Sequence, residues 1–166
     1  MAFNPSKCEV VRVTRKRKPT RATYTIHNHN LTQAKHGKYL GVTISENLGW
    51  NPHVDAISKK ANNSLSFLRR NLAACPSDIK DKCYQTMVRP ILEYASPSWA
   101  PHTARNKQQL EGVQRRAARF VFGDYRRTSS PTDMISQLGW ESLEHRRTSA
   151  KLLMLYRIML LSSLRI

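Results

Sequence analysis

Acidic residues are scarce in this chain. Eleven Asp and Glu stand against 28 Lys and Arg, leaving a formal charge of +17 over 166 residues. No two aspartates are adjacent anywhere, so the sequence shows no carboxylate pair of the kind that converges on metal ions ~4 Å apart in two-metal catalysis. The nearest acids of that kind, Asp78 and Asp81, sit one turn apart at an expected helix start. There they complement the helix dipole and its free amides. G-x-S-x-G, Walker A and H-E-x-x-H motifs are all missing, and Cys8 has no assignable base. Only three cysteines occur, Cys8, Cys75 and Cys83, with no C-x-x-C among them. An odd count behind an N-terminus without an apolar leader fits a reducing compartment, with the thiols as small apolar fillers. His27-x-His29 lies among asparagines with no third ligand in view, which reads as a polar turn rather than a metal site. The longest apolar run, Leu152 to Leu161, is interrupted by Arg157 and reaches about half the ~20 residues a membrane span needs. The expectation is an intracellular protein of the nucleus or cytoplasm, with no membrane and no metal or other cofactor of its own.

What is present in excess is positive charge, with a pI near 10.5. A compact domain so charged repels itself unless a polyanion compensates, so nucleic acid is the first partner to consider. Anionic membrane is the second, and a merely soluble basic surface the third. Apolar residues make up 40% of the chain, and the mean hydropathy is −0.56. That is enough for a modest core in one domain or two small ones.

The N-terminal third predicts strands. Residues 8–14 (CEVVRVT) are β-branched, and Arg15-Lys16-Arg17-Lys18-Pro19 reads as a charged hairpin tip. A second strand is expected around Tyr24-Thr25-Ile26, then a turn at His27-Asn28-His29-Asn30, then a third strand over 37–44. Gly41 inside that strand marks a bulge or a close backbone approach. The rest predicts helices. Asn51-Pro52 opens the first, whose Val54, Ile57, Ala61, Leu65, Leu68 and Leu72 recur every three or four residues. A second helix from about Asp78 turns Ile79, Cys83, Met87, Ile91 and Tyr94 inward and bends at Pro90. A third carries Leu110, Val113, Ala117 and Phe120; Ser130-Pro131 starts a short one ending near Gly139; a last one begins near Ser142. The expected fold is α+β, a small antiparallel β unit over 1–49 followed by a bundle of about five helices over 50–166.

Several blocks, in order, carry a resemblance. Asn4-Pro5-Ser6-Lys7-Cys8-Glu9 is followed about thirty positions on by Lys38-Tyr39-Leu40-Gly41-Val42-Thr43-Ile44. Then come Leu48-Gly49-Trp50-Asn51-Pro52-His53, Arg89-Pro90-Ile91-Leu92-Glu93-Tyr94-Ala95 with Trp99, and Gln114-Arg115-Arg116-Ala117-Ala118-Arg119. Leu138-Gly139-Trp140 with Glu144-x-Arg146-Arg147 closes the series. Each block alone is weak; the ordered set resembles the C-terminal part of a jockey-like non-LTR retrotransposon reverse transcriptase. The resemblance implies palm-end strands over 1–49 with a primer-grip turn at Tyr39, Leu40 and Gly41, then a thumb from residue 50. It places the catalytic carboxylates and their Mg upstream of Met1, in palm and fingers that would be this chain's partners along with RNA and DNA. Met1 resembles an internal methionine of that family and the tail stops where the family continues, which implies a truncated or decayed copy.

Candidate phosphate contacts are Arg15, Lys16, Arg17 and Lys18 on the expected tip, Lys59, Lys60, Arg69 and Arg70 on the first helix, and Arg115, Arg116 and Arg119 on the third. A groove that tracks a nucleic-acid backbone needs such an array, because each neutralised phosphate releases counterions. Solvated helix faces are the alternative for each cluster. Trp50, Trp99 and Trp140 suit interhelix packing better than base stacking. The expected function is a fragment of an RNA-directed DNA polymerase that grips the template-primer duplex and is inactive alone. The alternatives are a freestanding basic helical nucleic-acid-binding module, or a decayed reading frame without function.

Overall fold

The computed structural model describes residues 4–14, 16–18 and 22–163. The fold is α+β, with small strands first and helices after. The chain divides into two compact units, residues 1–53 and 54–166.

The first unit holds six short strands: β1 (Glu9–Val11), β2 (Thr25–Ile26), β3 (His29–Asn30), β4 (Thr32–Ala34), β5 (His36–Tyr39) and β6 (Val42–Ser45). They form three two-stranded ladders, β1 with β4, β2 with β3, and β5 with β6. Two are antiparallel, but β1 runs parallel to β4, with Val10 opposite Gln33. This corrects the expected hairpin between the first and second strands. β2 turns back on β3 within two residues, through His27 and Asn28 at φ 48° and 61°, and so leaves β1 to pair further along the chain. Of the expected charged tip, Arg15 and Pro19 lie outside the described residues.

Gly41 is also placed differently from the strand-interior reading. Leu40 and Gly41, at φ 45° and 84°, are the two central residues of the β5–β6 turn. Positive φ at both positions matches the twist of the flanking strands, and glycine suits the second of them. Leu40 adopts it against the preference of a residue with a Cβ. The close approach belongs instead to Gly37, where a Cβ would meet Val11 Cγ2 at 3.1 Å. Among the described apolar residues of this unit, only Val42 is buried.

The second unit contains most of α1 (Asn51–Asn71), then α2 (Ser77–Cys83), a π-helical turn (Tyr84–Val88), α3 (Arg89–Glu93), α4 (Ala104–Phe122), α5 (Pro131–Gln137) and α6 (Leu143–Ser163). Most of the stripe expected on α1 faces inward: Val54, Ala61, Leu65 and Leu68 are buried, while Ile57 and Leu72 are half-buried. Leu110, Val113, Ala117 and Phe120 of α4 are buried as expected, and α4 packs against α2, α5 and α6. Burying each Leu, Val or Phe fully contributes roughly 1.5–3 kcal/mol. The helix ends are capped by side chains and by glycine, at Ser130 as expected. Thr103 and Ser130 accept from Asn106 N and Asp133 N, and Gly123 ends α4 at φ 66°.

The second helical rod differs from its expected face by one position. Ile79, Met87 and Tyr94 are exposed, whereas Lys80, Tyr84, Val88 and Leu92 are buried. Nor is the break at Pro90 a simple bend. Pro90 has no N–H to return to the carbonyl four residues back, and the chain takes up the slack in the π turn before it. A four-residue stripe suits that wider turn better than a 3.6-residue helix does. At the far end of the unit, α6 exposes apolar side chains from Leu152 to Leu161. No helix among the described residues is long and apolar enough to cross a membrane.

Candidate nucleic-acid interface

The motif blocks that are far apart in sequence meet in the core of the second unit. Tyr84 stacks on Trp140, with ring centroids 4.3 Å apart and planes 25° from parallel. The Trp140 indole donates to Asp81 Oδ1 at 3.0 Å, and Gln85 Nε2 donates to the same oxygen at 2.8 Å. The Tyr84 hydroxyl donates to Gln114 Oε1 at 3.2 Å, and Gln114 Nε2 donates to the Glu141 carbonyl at 2.9 Å. Burial pushes the Tyr84 phenol far above its ordinary range. Glu93 pairs with Arg146 through two hydrogen bonds, and this raises the guanidinium's pKa further. Arg147, beside it in sequence, is 3% exposed, and burial lowers its pKa. Asp81 therefore does more than complement a helix dipole: it fixes the tryptophan that closes the core.

The same packing settles the tryptophans. Trp99 and Trp140 are buried, and Trp99 donates its indole N–H to the Tyr94 carbonyl at 2.8 Å. Both are out of reach of a base. Trp50 is half-buried, with its ring edge-on to His53.

The cations lie outside this core. Lys16, Arg17 and Lys18 are exposed in the first unit; Arg15 is outside the described residues. Lys59, Lys60, Arg69 and Arg70 on α1 and Arg115 and Arg116 on α4 are exposed in the second. Their two helices are joined by polar rungs. Gln109 Nε2 donates to Asp55 Oδ1 at 2.9 Å, and Arg116 Nε donates to Asn62 Oδ1 at 3.1 Å. Beyond the end of α4, the Arg69 guanidinium lies 4.8 Å from the centre of the Tyr125 ring. The rungs on α1 are seven residues apart, two turns, so α1 and α4 run side by side in the same direction. Lys59 and Arg70, three turns apart, fall on nearly one line of α1. Arg119 is placed otherwise: it is half-buried and donates to the carbonyls of Arg126 and Ser129 at 2.9 and 3.1 Å. It ties down the loop after α4 rather than pointing into solvent.

That loop contains a residue sequence reasoning missed, Tyr125; a second, Lys80, sits opposite on α2. Lys80 is buried on the inward stripe, one turn before Tyr84, with its ammonium 5.7 Å from the centre of the Phe120 ring. A lysine in phase with Tyr84, Val88 and Leu92 is the signal that could have revealed it. In the first unit, Tyr39 and Leu40 stand out from the hairpin tip, 68% and 73% exposed. No group of three or more His, Cys, Asp or Glu among the described residues could hold a metal ion.

His53, buried beside that hairpin, accepts the Thr43 N–H at its Nδ1 at 3.3 Å, and burial pulls its pKa below 6.5. The unfolded chain therefore takes up this proton first as the pH falls, so stability is complete above about 6.5 and declines below it. His53→Gln, whose amide oxygen can accept from Thr43, is expected to flatten that decline. Thermal midpoints of both proteins between pH 7.5 and pH 5 check this. Parallel declines would show that another group carries it.

No protein-family model, curated protein or solved structure matches this chain.

Proposed function

We propose that this chain is a duplex-gripping fragment of a non-LTR retrotransposon reverse transcriptase, combining the end of a palm with a thumb. It would hold an RNA–DNA template-primer duplex by its phosphates, without reading sequence. The observation that carries the reading is spatial. Residues from the 89–95, 114–119, 138–140 and 144–147 blocks, which resemble that family in order, build one packed core. Lys59, Arg70, Arg115 and Arg116 are left on its outside. The thin core of the first unit, with Val42 as its one buried apolar side chain among the described residues, fits a β unit that another palm segment would cover. The exposed Tyr39-Leu40-Gly41 tip has the form of a turn that touches a primer end. The chain has no paired aspartates, so polymerisation would need a partner segment that carries them.

The test is complementation. A palm-and-fingers segment with paired aspartates should extend a primer only when this chain is added. Duplex binding without restored extension would favour a freestanding nucleic-acid-binding module. A featureless thermal melt would favour a decayed reading frame.

A further inference from the structure

The ends of α1 and α4 and the start of α2 enclose a cleft of about 530 Å³. Its lining includes Ser66, Arg69, Arg70, Lys80, Phe120 and Tyr125, and no carboxylate. Lys80 is only 8% exposed, a position where a lysine is costly unless an anion compensates it. Among the described residues, no carboxylate lies within ion-pair range of Lys80, Arg69 or Arg70. Asp124, beside Tyr125 in sequence, is taken up by Arg126 and the Ser129 hydroxyl. The cleft thus gathers three cations with two aromatic rings, at a volume typical of small-ligand sites.

We propose that this cleft binds a single unpaired nucleotide. Its phosphate lies between Lys80 and Arg70, and its base lies against Tyr125 and the Arg69 guanidinium. Two features distinguish this occupant from the backbone of a duplex. A duplex presents phosphates on a convex surface and keeps its base faces stacked inside, whereas this site is concave. Its ring and guanidinium planes also suit a base whose π face is free. The proposal deepens the gripping role above and rests on it for the source of the nucleotide, an unpaired stretch of template or primer.

Calorimetric titration of the full chain with dAMP, deoxyadenosine and inorganic phosphate tests it. dAMP should bind at least about tenfold more tightly than deoxyadenosine, the effect of gaining charge-assisted hydrogen bonds. Lys80→Met keeps the buried bulk and removes the charge. It should weaken dAMP by on the order of tenfold. Arg70→Gln, at an exposed position, should do the same if Lys80→Met fails to fold. Tyr125→Ala should bring dAMP down to the level of inorganic phosphate. Equal affinity for dAMP and deoxyadenosine overturns the proposal. So does dAMP binding that survives intact in the folded Lys80 and Arg70 variants. RNA–DNA duplex binding, measured in parallel, separates the two readings. A duplex bound without dAMP sinks the cleft alone; dAMP bound without a duplex sinks the gripping role alone.

Discussion

Replacing Arg69, Arg70, Arg115 and Arg116 together by Ala will flatten the salt dependence of duplex binding. Each cation that neutralises a phosphate releases counterions, so log K falls against log salt with a slope of about −0.9 per neutralised phosphate on B-form DNA. Removing four such cations would reduce the magnitude of the slope by up to ~3.5, or by about 1.8 where Arg69 and Arg70 serve the cleft and only Arg115 and Arg116 meet the duplex. Between 50 and 200 mM salt the unmodified protein would then lose between roughly tenfold and roughly a hundredfold more affinity than the variant. All four side chains are exposed, but Arg116 also donates to Asn62 and Arg69 lies against the Tyr125 ring, so a thermal melt of the variant accompanies the binding measurement. Fluorescence anisotropy with one labelled duplex over that salt range makes the measurement, and a second duplex of unrelated sequence should give the same slope. An unchanged slope would remove these residues from the interface. Arg119→Ala is a useful contrast, since its guanidinium is spent on the carbonyls of Arg126 and Ser129. It should disturb the loop and leave the slope nearly alone.

Trp140→Ala will destabilise the helical unit more than any surface change. Truncating a buried tryptophan typically costs about 3–5 kcal/mol through lost transfer energy and the cavity left behind. The stack on Tyr84 adds about 0.5–1.5 kcal/mol, and Asp81 loses one of its two donors. For a unit of this size the melting temperature should fall by on the order of 15 °C. Tyr84→Phe keeps the stack and removes only the hydroxyl that donates to Gln114, at a cost of about 1–2 kcal/mol. Thermal melts followed by circular dichroism should therefore rank Trp140→Ala well below Tyr84→Phe. A reversed order would mean that the hydroxyl, and not the ring, holds this core together.

The legible parts of the fold are those where local chemistry decides. Asn51-Pro52 and Ser130-Pro131 open helices at their expected places, and Gly139 closes one at φ 64°. On α1 and α4 a single apolar stripe leaves one choice of face. On the second rod two adjacent columns are both apolar, Ile79, Met87 and Ile91 beside Tyr84, Val88 and Leu92. Periodicity cannot choose between them. The choice falls to Trp140 and Gln114, partners 56 and 30 residues away from Tyr84. Strand pairing was the least legible, because β1 and β2 are short and either could pair several ways. Of the candidate cations, exposure separates Lys59, Lys60, Arg69, Arg70, Arg115 and Arg116 from Arg119, and no sequence pattern makes that distinction. Lys80 and Tyr125 join the cleft only through the tertiary arrangement of α1, α2 and α4.

The π turn over Tyr84–Val88 sets a limit on which length changes this chain tolerates through descent. Deleting one residue there would close the π turn into ordinary helix, with the inward positions spaced four, three and four residues apart as a 3.6-residue helix requires. Leu92 would stay in the core and Glu93 beside Arg146. Inserting a further residue would instead turn both by about 100°. Insertions should therefore stay out of 84–93, whereas a single deletion in 84–88 leaves the buried face unchanged, even in diverged copies whose side chains have changed.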